Sequence, residues 1–333
     1  MTLPQILFYA LADGGFHSGE ALAKSAGVTR SAVWKAISQL RDLGLPIEAQ
    51  TNRGYRLAQS CEPLSAEQIR CSLNKEIRSI AEVEVAWEQV STNATLLESR
   101  APEVGHFAVL FAENQSGGRG RRGRAWRTAL GGSLSFSIAT RFEPLPRDLP
   151  ALTLAIGVCV RRALQDLGAV NLELKWPNDL VVRDGEVLVK TGGILVELRA
   201  EAGGPAHVVV GIGLNLVLDQ AARAVIAATG NVAGDLRSQG IDAAARNSIA
   251  AAVVQSCIRG LLRFGREGFS PFIEEWREFD ALRGRGVRIS DLDGEREGVA
   301  RGIDAMGALQ VETSAGRRVS IVGGDVSVRS QRT

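Results

Sequence analysis

The stretch QSGGRGRRGRAW at residues 115–126 decides how the fold of this chain is interpreted. Its spacing from Gly118 to Gly123 matches the dinucleotide-binding fingerprint, which requires a helix to begin at the third glycine. Here the chain runs through a glycine pair at 131–132 straight into a predicted strand. The sequence therefore predicts a loop between two strands and excludes a dinucleotide-binding fold at this position.

The composition of the loop indicates an anion-binding function. Its glycines allow backbone N–H groups to approach an anion closely, and Arg119, Arg121, Arg122 and Arg124 supply forked donors for carboxylate or phosphate oxygens. Four arginines within six residues repel one another, so we expect the loop to become ordered around an anion. A loop that contacts nucleic-acid phosphates is the alternative, but the high glycine content favours a small anionic ligand.

Three further clusters accompany this loop, and each lies at a strand end or beside glycines. A turn or tight packing could explain each of them alone. A glycine inside a strand weakens it and is expected where a ligand lies close to the backbone. The clusters are Lys175-Trp-Pro-Asn-Asp179, Lys190-Thr-Gly-Gly-Ile-Leu-Val-Glu197 and Gly211-Ile-Gly-Leu-Asn215.

The segment around the loop mixes predicted strands and helices, which indicates an α+β arrangement. The alternation of apolar residues with Ser133, Ser135 and Ser137 predicts a half-buried strand. The other predicted strands are 107–111, 172–176, 193–198 and 208–216, and the predicted helices are 150–167, 246–264 and 270–280.

The N-terminal segment has the pattern of a winged helix-turn-helix. Helices are predicted at 4–12, from a Ser18 cap to about Ser25, and from Thr29 or Arg30 to near Gly44. A strand, a turn and a second strand between Ile47 and Leu57 then form the wing. In the third helix the buried stripe is Val33, Ile37 and Leu40.

The face opposite that stripe is predicted to bind DNA. Arg30, Ser31, Trp34, Lys35 and Ser38 then point to solvent, as in a helix that enters the major groove, and Arg53 of the wing contacts phosphate. An ordinary solvated helix face is the alternative. Trp34 is open to a second interpretation, as a core or dimer contact.

Length and composition set the domain organisation. The chain has 333 residues, 45% of them hydrophobic, and a net charge of +2, which fits two or three globular domains. We predict a winged helix at 1–60, a linker at 58–66, a central domain at 67–280 and a small β-barrel at 284–333. No membrane-spanning run or signal peptide is evident, and scattered cysteines and histidines argue for reduced thiols in the cytoplasm and against a structural metal site.

Taken together, the basic glycine loop and the three clusters, in this order, resemble the biotin–protein ligases. The resemblance covers nearly the whole chain, winged helix included, so the chain is similar to the bifunctional ligases that also repress the biotin operon. It implies a central domain like the catalytic core of class II aminoacyl-tRNA synthetases and an SH3-like C-terminal barrel. The implied reaction joins biotin to ATP as biotinyl-5′-AMP, with Mg²⁺, and then transfers biotin to a lysine of a carrier protein.

The resemblance also implies roles for individual residues. The expected biotin-binding residues are Ser91, Thr92, Asn93, Gln115, Arg119, Gly120, Arg121 and Lys190. The expected adenylate- and ATP-binding residues are Gly118, Arg122, Arg124, Trp126, Asn178, Gly211, Gly213 and Asn215. The expected catalytic residues are Arg121, Lys190, Asp179 and Lys175, with Asp179 orienting either Mg²⁺ or the target lysine. The expected DNA-binding residues are Thr29, Arg30, Ser31, Lys35 and Arg53, and no metal is bound by the protein alone.

Two segments depart from the family pattern. The stretch 180–189 is longer than usual, and the segment 231–240, where the family wraps adenine, has no aromatic residue. The implied partners are the biotin carboxyl carrier protein of acetyl-CoA carboxylase, operator DNA and a second copy of the chain when the adenylate is bound, with no membrane. The alternatives are a biotin-sensing regulator without ligase activity and a lipoate–protein ligase.

Overall fold

The N-terminal residues fold as three helices followed by a hairpin in the computed structural model, which describes residues 1–126, 129–200, 204–218, 220–227, 232–291 and 294–328. Ser18 caps the second helix by accepting a hydrogen bond from Ala21 N (3.0 Å), and Gly27 ends it in the left-handed conformation. The elements are α1 (Leu3–Leu11), α2 (Gly19–Ala26), α3 (Arg30–Asp42), β1 (Ile47–Gln50) and β2 (Gly54–Leu57). The predicted winged helix is confirmed, and its buried stripe on α3 gains Ala36.

A seven-stranded sheet forms the centre of the molecule, in the order β3-β4-β5-β9-β8-β7-β6. Only the β3–β4 pair is parallel. The strands are β3 (Ala81–Gln89), β4 (Phe107–Gln115), β5 (Ser133–Phe142), β6 (Leu172–Lys175), β7 (Asp179–Asp184), β8 (Val187–Ala200) and β9 (Ala206–Asn215). The helices are α4 (Ala66–Ser72), α5 (Lys75–Ile80), α6 (Thr92–Glu98), α7 (Leu152–Asp166), α8 (Gln220–Ala227), α9 (Arg246–Glu267) and α10 (Ile273–Glu278).

The predicted half-burial of β5 is wrong. Every residue from Ser133 to Thr140 is buried, because α6 packs on the face that carries the serines. Ser137 Oγ lies 2.7 Å from Thr92 Oγ1, so small hydroxyls here are interior residues. Alternation of polar and apolar residues does not distinguish this strand from one with a solvated face.

The C-terminal residues form a five-stranded antiparallel sheet in the order β13-β12-β11-β10-β14. It packs on the central domain, where Trp176 Nε1 donates to Gly307 O (3.0 Å) and the two units share one apolar core. This confirms the predicted small β-domain. Its strands are β10 (Gly286–Asp291), β11 (Gly294–Ile303), β12 (Leu309–Glu312), β13 (Arg318–Ile321) and β14 (Asp325–Val328).

The winged helix also packs against the central domain. Leu130, which follows the basic loop in sequence, is buried in the winged-helix core, and Phe8 lies 5.5 Å from Trp87 of β3, ring to ring. Below the linker, Arg246 and Glu113 form a fully buried ion pair of 2.8 Å. Within the part of the chain described, no helix is long and apolar enough to cross a membrane.

Candidate active site

A cavity of about 510 Å³ opens over the ends of the central strands, between the basic loop and the C-terminal sheet. It combines a polar end beside the start of α6 with a cationic end beside β6, β7 and β8. Sixteen of the residues expected to bind ligand or to act in catalysis line it. They are Ser91, Thr92, Asn93, Gln115, Arg119, Gly120, Arg121, Arg124, Trp126, Lys175, Asn178, Asp179, Lys190, Gly211, Gly213 and Asn215; Gly118 and Arg122 are not among the lining residues.

The polar end is built on the first turn of α6. Gln115 Oε1 accepts from Thr92 N (2.8 Å), and Ser137 Oγ donates to Asn93 Oδ1 (2.5 Å). Asn93 Nδ2 in turn donates to Glu197 Oε2 (2.8 Å). This network fixes the side chains that carry donors and acceptors toward the cavity, and Ser91 caps the helix that holds them.

The glycines of β9 make room for protein side chains. The sequence analysis had instead predicted that a ligand lies close to the backbone at these glycines. A Cβ atom on Gly211 would collide with the amide of Asn93, and one on Gly213 would collide with the indole of Trp126. Gly211 therefore permits the position of Asn93. Trp126, lying on Gly213, provides an aromatic wall that the segment 231–240 lacks.

The long segment 180–189 forms the turn and strands of the β7–β8 hairpin, and this pairing places Lys190 beside Asp179. Lys190 Nζ lies 2.5 Å from Asp179 Oδ1 and 5.5 Å from the ring centre of Trp126. Lys175 lines the same end. Burial lowers the pKa of its ammonium group, and the nearby Asp179 carboxylate opposes this shift without reversing it.

The basic loop is held by the C-terminal sheet through a residue that the sequence analysis missed. Asp325, at the start of β14, forms ion pairs with Arg124 (2.5 Å) and Arg122 (3.2 Å), and Arg121 Nη1 donates to Gly324 O (3.4 Å). Burial lowers the pKa of the Arg121 guanidinium, and the Asp325 charge opposes that shift. The arginines are thus partly neutralised by the protein itself, and no sequence signal links residues some two hundred positions apart.

Three buried polar atoms of the cavity have no hydrogen-bond partner among the described residues. They are Ser135 Oγ, Trp126 Nε1 and Asn215 Oδ1. A buried donor or acceptor without a hydrogen bond is costly, so these atoms are suited to a polar ligand or to ordered water. The sequence analysis also missed Ser135, because the alternation of serines with apolar residues predicted that this serine lies on a solvent-exposed face of the strand.

The predicted DNA-binding residues all belong to the winged helix. Thr29 caps α3, with its hydroxyl accepting from Ala32 N (3.3 Å), and Arg30, Ser31 and Lys35 are exposed on the same helix. Arg53, in the β1–β2 turn, lies 4.0 Å above the ring of Phe16.

Family models match all three parts of the chain. A model of the Biotin/lipoate A/B protein ligase family matches residues 87–215, an HTH domain model matches residues 2–56, and a biotin protein ligase C terminal domain model matches residues 283–329. The fold and the cavity therefore define a ligase of the biotin and lipoate class that carries a helix-turn-helix domain.

Individual relatives narrow this class. The bifunctional ligase/repressor BirA of Escherichia coli K12 is 36% identical over 99% of this chain and 98% of its own length, and that of Bacillus subtilis 168 is 31% identical over 93% and 94%. A solved biotin protein ligase from Aquifex aeolicus, in complex with biotin and ATP, is 26% identical, with a TM-score of 0.60 over 74% of this chain and 98% of that one. The chain belongs to the bifunctional biotin ligase/repressor family, which confirms the ligase and the repressor domain predicted from its sequence.

Proposed function

We propose that both half-reactions of biotin attachment take place in this single cavity. A biotin carboxylate oxygen attacks the α-phosphorus of ATP, the bond to the β-phosphate oxygen breaks, and biotinyl-5′-AMP and pyrophosphate form. A carrier lysine amine then attacks the acyl carbon and AMP leaves. The observation that carries the proposal is the joining, in one cavity, of a fixed polar end with a cationic end of two lysines and several arginines.

The polar end suits the ureido ring of biotin, which presents both N–H donors and a carbonyl acceptor. Thr92, Asn93 and Gln115 are already fixed by hydrogen bonds to one another and to the sheet. Ser135 Oγ has no hydrogen-bond partner in the part of the chain that the structure describes, and it can serve as donor or acceptor. Biotin bound here would direct its carboxylate tail toward the lysines.

The cationic end suits two anions that repel each other. Lys190, Lys175, Arg119 and Arg121 can neutralise the biotin carboxylate and the α-phosphate, hold them in position and exclude water, which is most of what this reaction requires of a protein. Trp126 offers its indole as a wall for adenine.

Mg²⁺ would enter with ATP. Within the described ranges no three His, Cys, Asp or Glu side chains converge on a metal position. Mg²⁺ is commonly held by one or two carboxylates together with substrate phosphates, and Asp179, which reaches into the cavity beside Lys190, can supply one carboxylate. The ion would neutralise phosphate charge there.

We further propose that the winged helix binds operator DNA, that the adenylate-bound chain forms a homodimer, and that the acceptor is the biotin carboxyl carrier protein of acetyl-CoA carboxylase. The exposed cations of α3 and the wing support DNA binding. The cytoplasm holds ATP, the carrier and the operator together, so we place the protein there.

The test incubates the chain with labelled biotin, ATP and Mg²⁺, with and without the carrier. We expect biotinyl-5′-AMP in the first case and a labelled carrier lysine in the second. Biotin binding without adenylate would identify a regulator that is not a ligase. Activation of lipoate in preference to biotin would identify a lipoate ligase.

A further inference from the structure

The exposed face of α3 carries an aromatic side chain that its core packing does not use. The chain has five tryptophans, all within the described residues, and Trp34 is the only exposed one, at 61%. It lies one helical turn after Arg30 and directly before Lys35, on the side away from the buried Val33 and Ile37. This excludes the interpretation of Trp34 as a residue of its own domain's core.

The orientation of this face is fixed. Thr29 caps the first turn of α3, and at the other end Arg41 donates to Ile47 O through Nε (3.1 Å) and Nη2 (2.9 Å). The buried stripe between these points prevents the helix from rotating. The indole of Trp34 is thus presented together with the flanking cations to whatever binds α3.

A DNA major groove matches both features of the face. Its phosphate rims attract cations, and among its base edges the 5-methyl group of thymine is the apolar feature. Given the proposed DNA-binding function, on which this inference rests, we propose that Trp34 reads thymine in the operator by packing its indole against that methyl group. Arg30 and Lys35 then hold the helix in register on the phosphates.

The experiment removes the two partners separately. The full-length chain, with biotin, ATP and Mg²⁺, selects its site from a random DNA duplex pool, and each thymine of the selected site is then replaced by uracil, which lacks the methyl group. The affinities of the wild type, Trp34→Ala and Trp34→Phe are measured on every duplex, and biotin ligation by each variant confirms that it is folded. Tyr9→Ala is the matched control, since Tyr9 is a partly exposed aromatic residue on α1 of the same domain.

We expect Trp34→Ala to bind the thymine duplex roughly tenfold more weakly, the size of one lost base contact. At one position per half-site, uracil should weaken the wild type severalfold and leave Trp34→Ala unaffected, with Trp34→Phe intermediate and Tyr9→Ala like the wild type.

Three results would overturn the proposal. The first is an equal effect of uracil on wild type and Trp34→Ala at every position. The second is a loss of dimer mass in Trp34→Ala without DNA, which would make Trp34 a subunit contact. The third is failure of the wild type to select any site while it still ligates biotin, which would remove the DNA-binding function itself.

Discussion

Lys190 and Asp179 show how a single ion pair can prepare the cationic end of the cavity. The ammonium nitrogen of Lys190 lies 2.5 Å from a carboxylate oxygen of Asp179, and both side chains line the cavity. An incoming carboxylate and phosphate would give Lys190 new anionic partners and release Asp179 toward Mg²⁺. The pair therefore keeps either charge from being buried alone when ligands are absent.

Lys190→Ala is expected to lower the rate of adenylate formation on the order of 10²-fold and biotin binding much less, because in the proposed reaction the lysine faces the charge that develops on the phosphate. Single-turnover formation of biotinyl-AMP and equilibrium biotin binding measure the two effects. Lys75→Ala, an exposed lysine on α5, is the control. Adenylation near the wild-type rate would show that the long β7–β8 hairpin has transferred this role to another residue.

Asp280 makes the stability of the molecule depend on pH. Burial raises its pKa from 3.8 to about 6. Its Oδ2 atom has no hydrogen-bond partner within the described ranges, whereas Oδ1 accepts from Leu282 N (2.9 Å). The folded chain thus binds this proton more tightly than the unfolded chain, so stability falls as pH rises from about 4 to about 6 and stays reduced above.

Asp280→Asn should therefore raise the free energy of unfolding by about 1–3 kcal/mol at pH near 8, with a smaller gain near pH 5. Thermal or denaturant unfolding at the two pH values gives the comparison. Asp166→Asn, at an exposed position on α7, serves as the control and should change little. An equal effect of Asp280→Asn at both pH values would show that the carboxyl is not protonated in the folded chain.

At the scale of elements, the basic loop joins three parts of the molecule. Its tip pairs with Asp325 of β14, its arginines line the cavity, and Leu130 just beyond it is buried in the winged-helix core. A change in loop position on ligand binding would therefore alter contacts with both the winged helix and the C-terminal sheet.

Arg121→Gly is expected to release the adenylate before the carrier arrives. Its guanidinium lines the cavity, where we propose that it binds the acyl phosphate, and a charge-assisted hydrogen bond of this kind is worth about 1.5–3 kcal/mol. While it holds, water and stray amines are excluded from the mixed anhydride. Biotin incorporation into added albumin measures the escape of the adenylate from the cavity. Arg100→Gly, in an exposed loop, is the control. Bystander labelling no higher than wild type, with adenylate still made, would assign closure of the loop to Arg119 or Arg122.

Sequence patterns were sufficient to predict features that neighbouring residues determine. They were insufficient to predict contacts between residues far apart in the sequence. The winged helix follows from helical periodicity and the Ser18 and Thr29 caps, which act within a few residues. The loop and its three clusters were visible because glycines, arginines and lysines concentrate there. Asp325 and the buried Ser135 were missed because their environment is created by segments far away in sequence, the former on another domain.

At the scale of the whole molecule, ligation and DNA binding lie in separate parts of one chain. Replacing Arg30, Lys35 and Arg53 by Ala is expected to abolish operator binding and spare ligation, and any residual binding should depend less on salt, by about one unit of slope per lost phosphate contact. Affinity for the selected site at several salt concentrations and the ligation rate are the measurements.

A matched triple variant serves as control for the number of charges removed. It replaces exposed arginines of the central domain, Arg147, Arg259 and Arg266, by Ala. It should keep operator binding. A parallel loss of ligation in the winged-helix variant would show instead that the N-terminal unit supports the catalytic domain structurally.

In the proposed reaction, a biotin carboxylate oxygen attacks the α-phosphorus of ATP in the cavity between the basic loop and β8. Biotin labelled with ¹⁸O in both carboxylate oxygens tests this directly, when the chain transfers it to the carrier and the phosphate products are analysed by mass spectrometry. We predict one ¹⁸O atom in the phosphate of AMP and none in pyrophosphate. Label in orthophosphate, accompanied by ADP, or AMP without label, would contradict it.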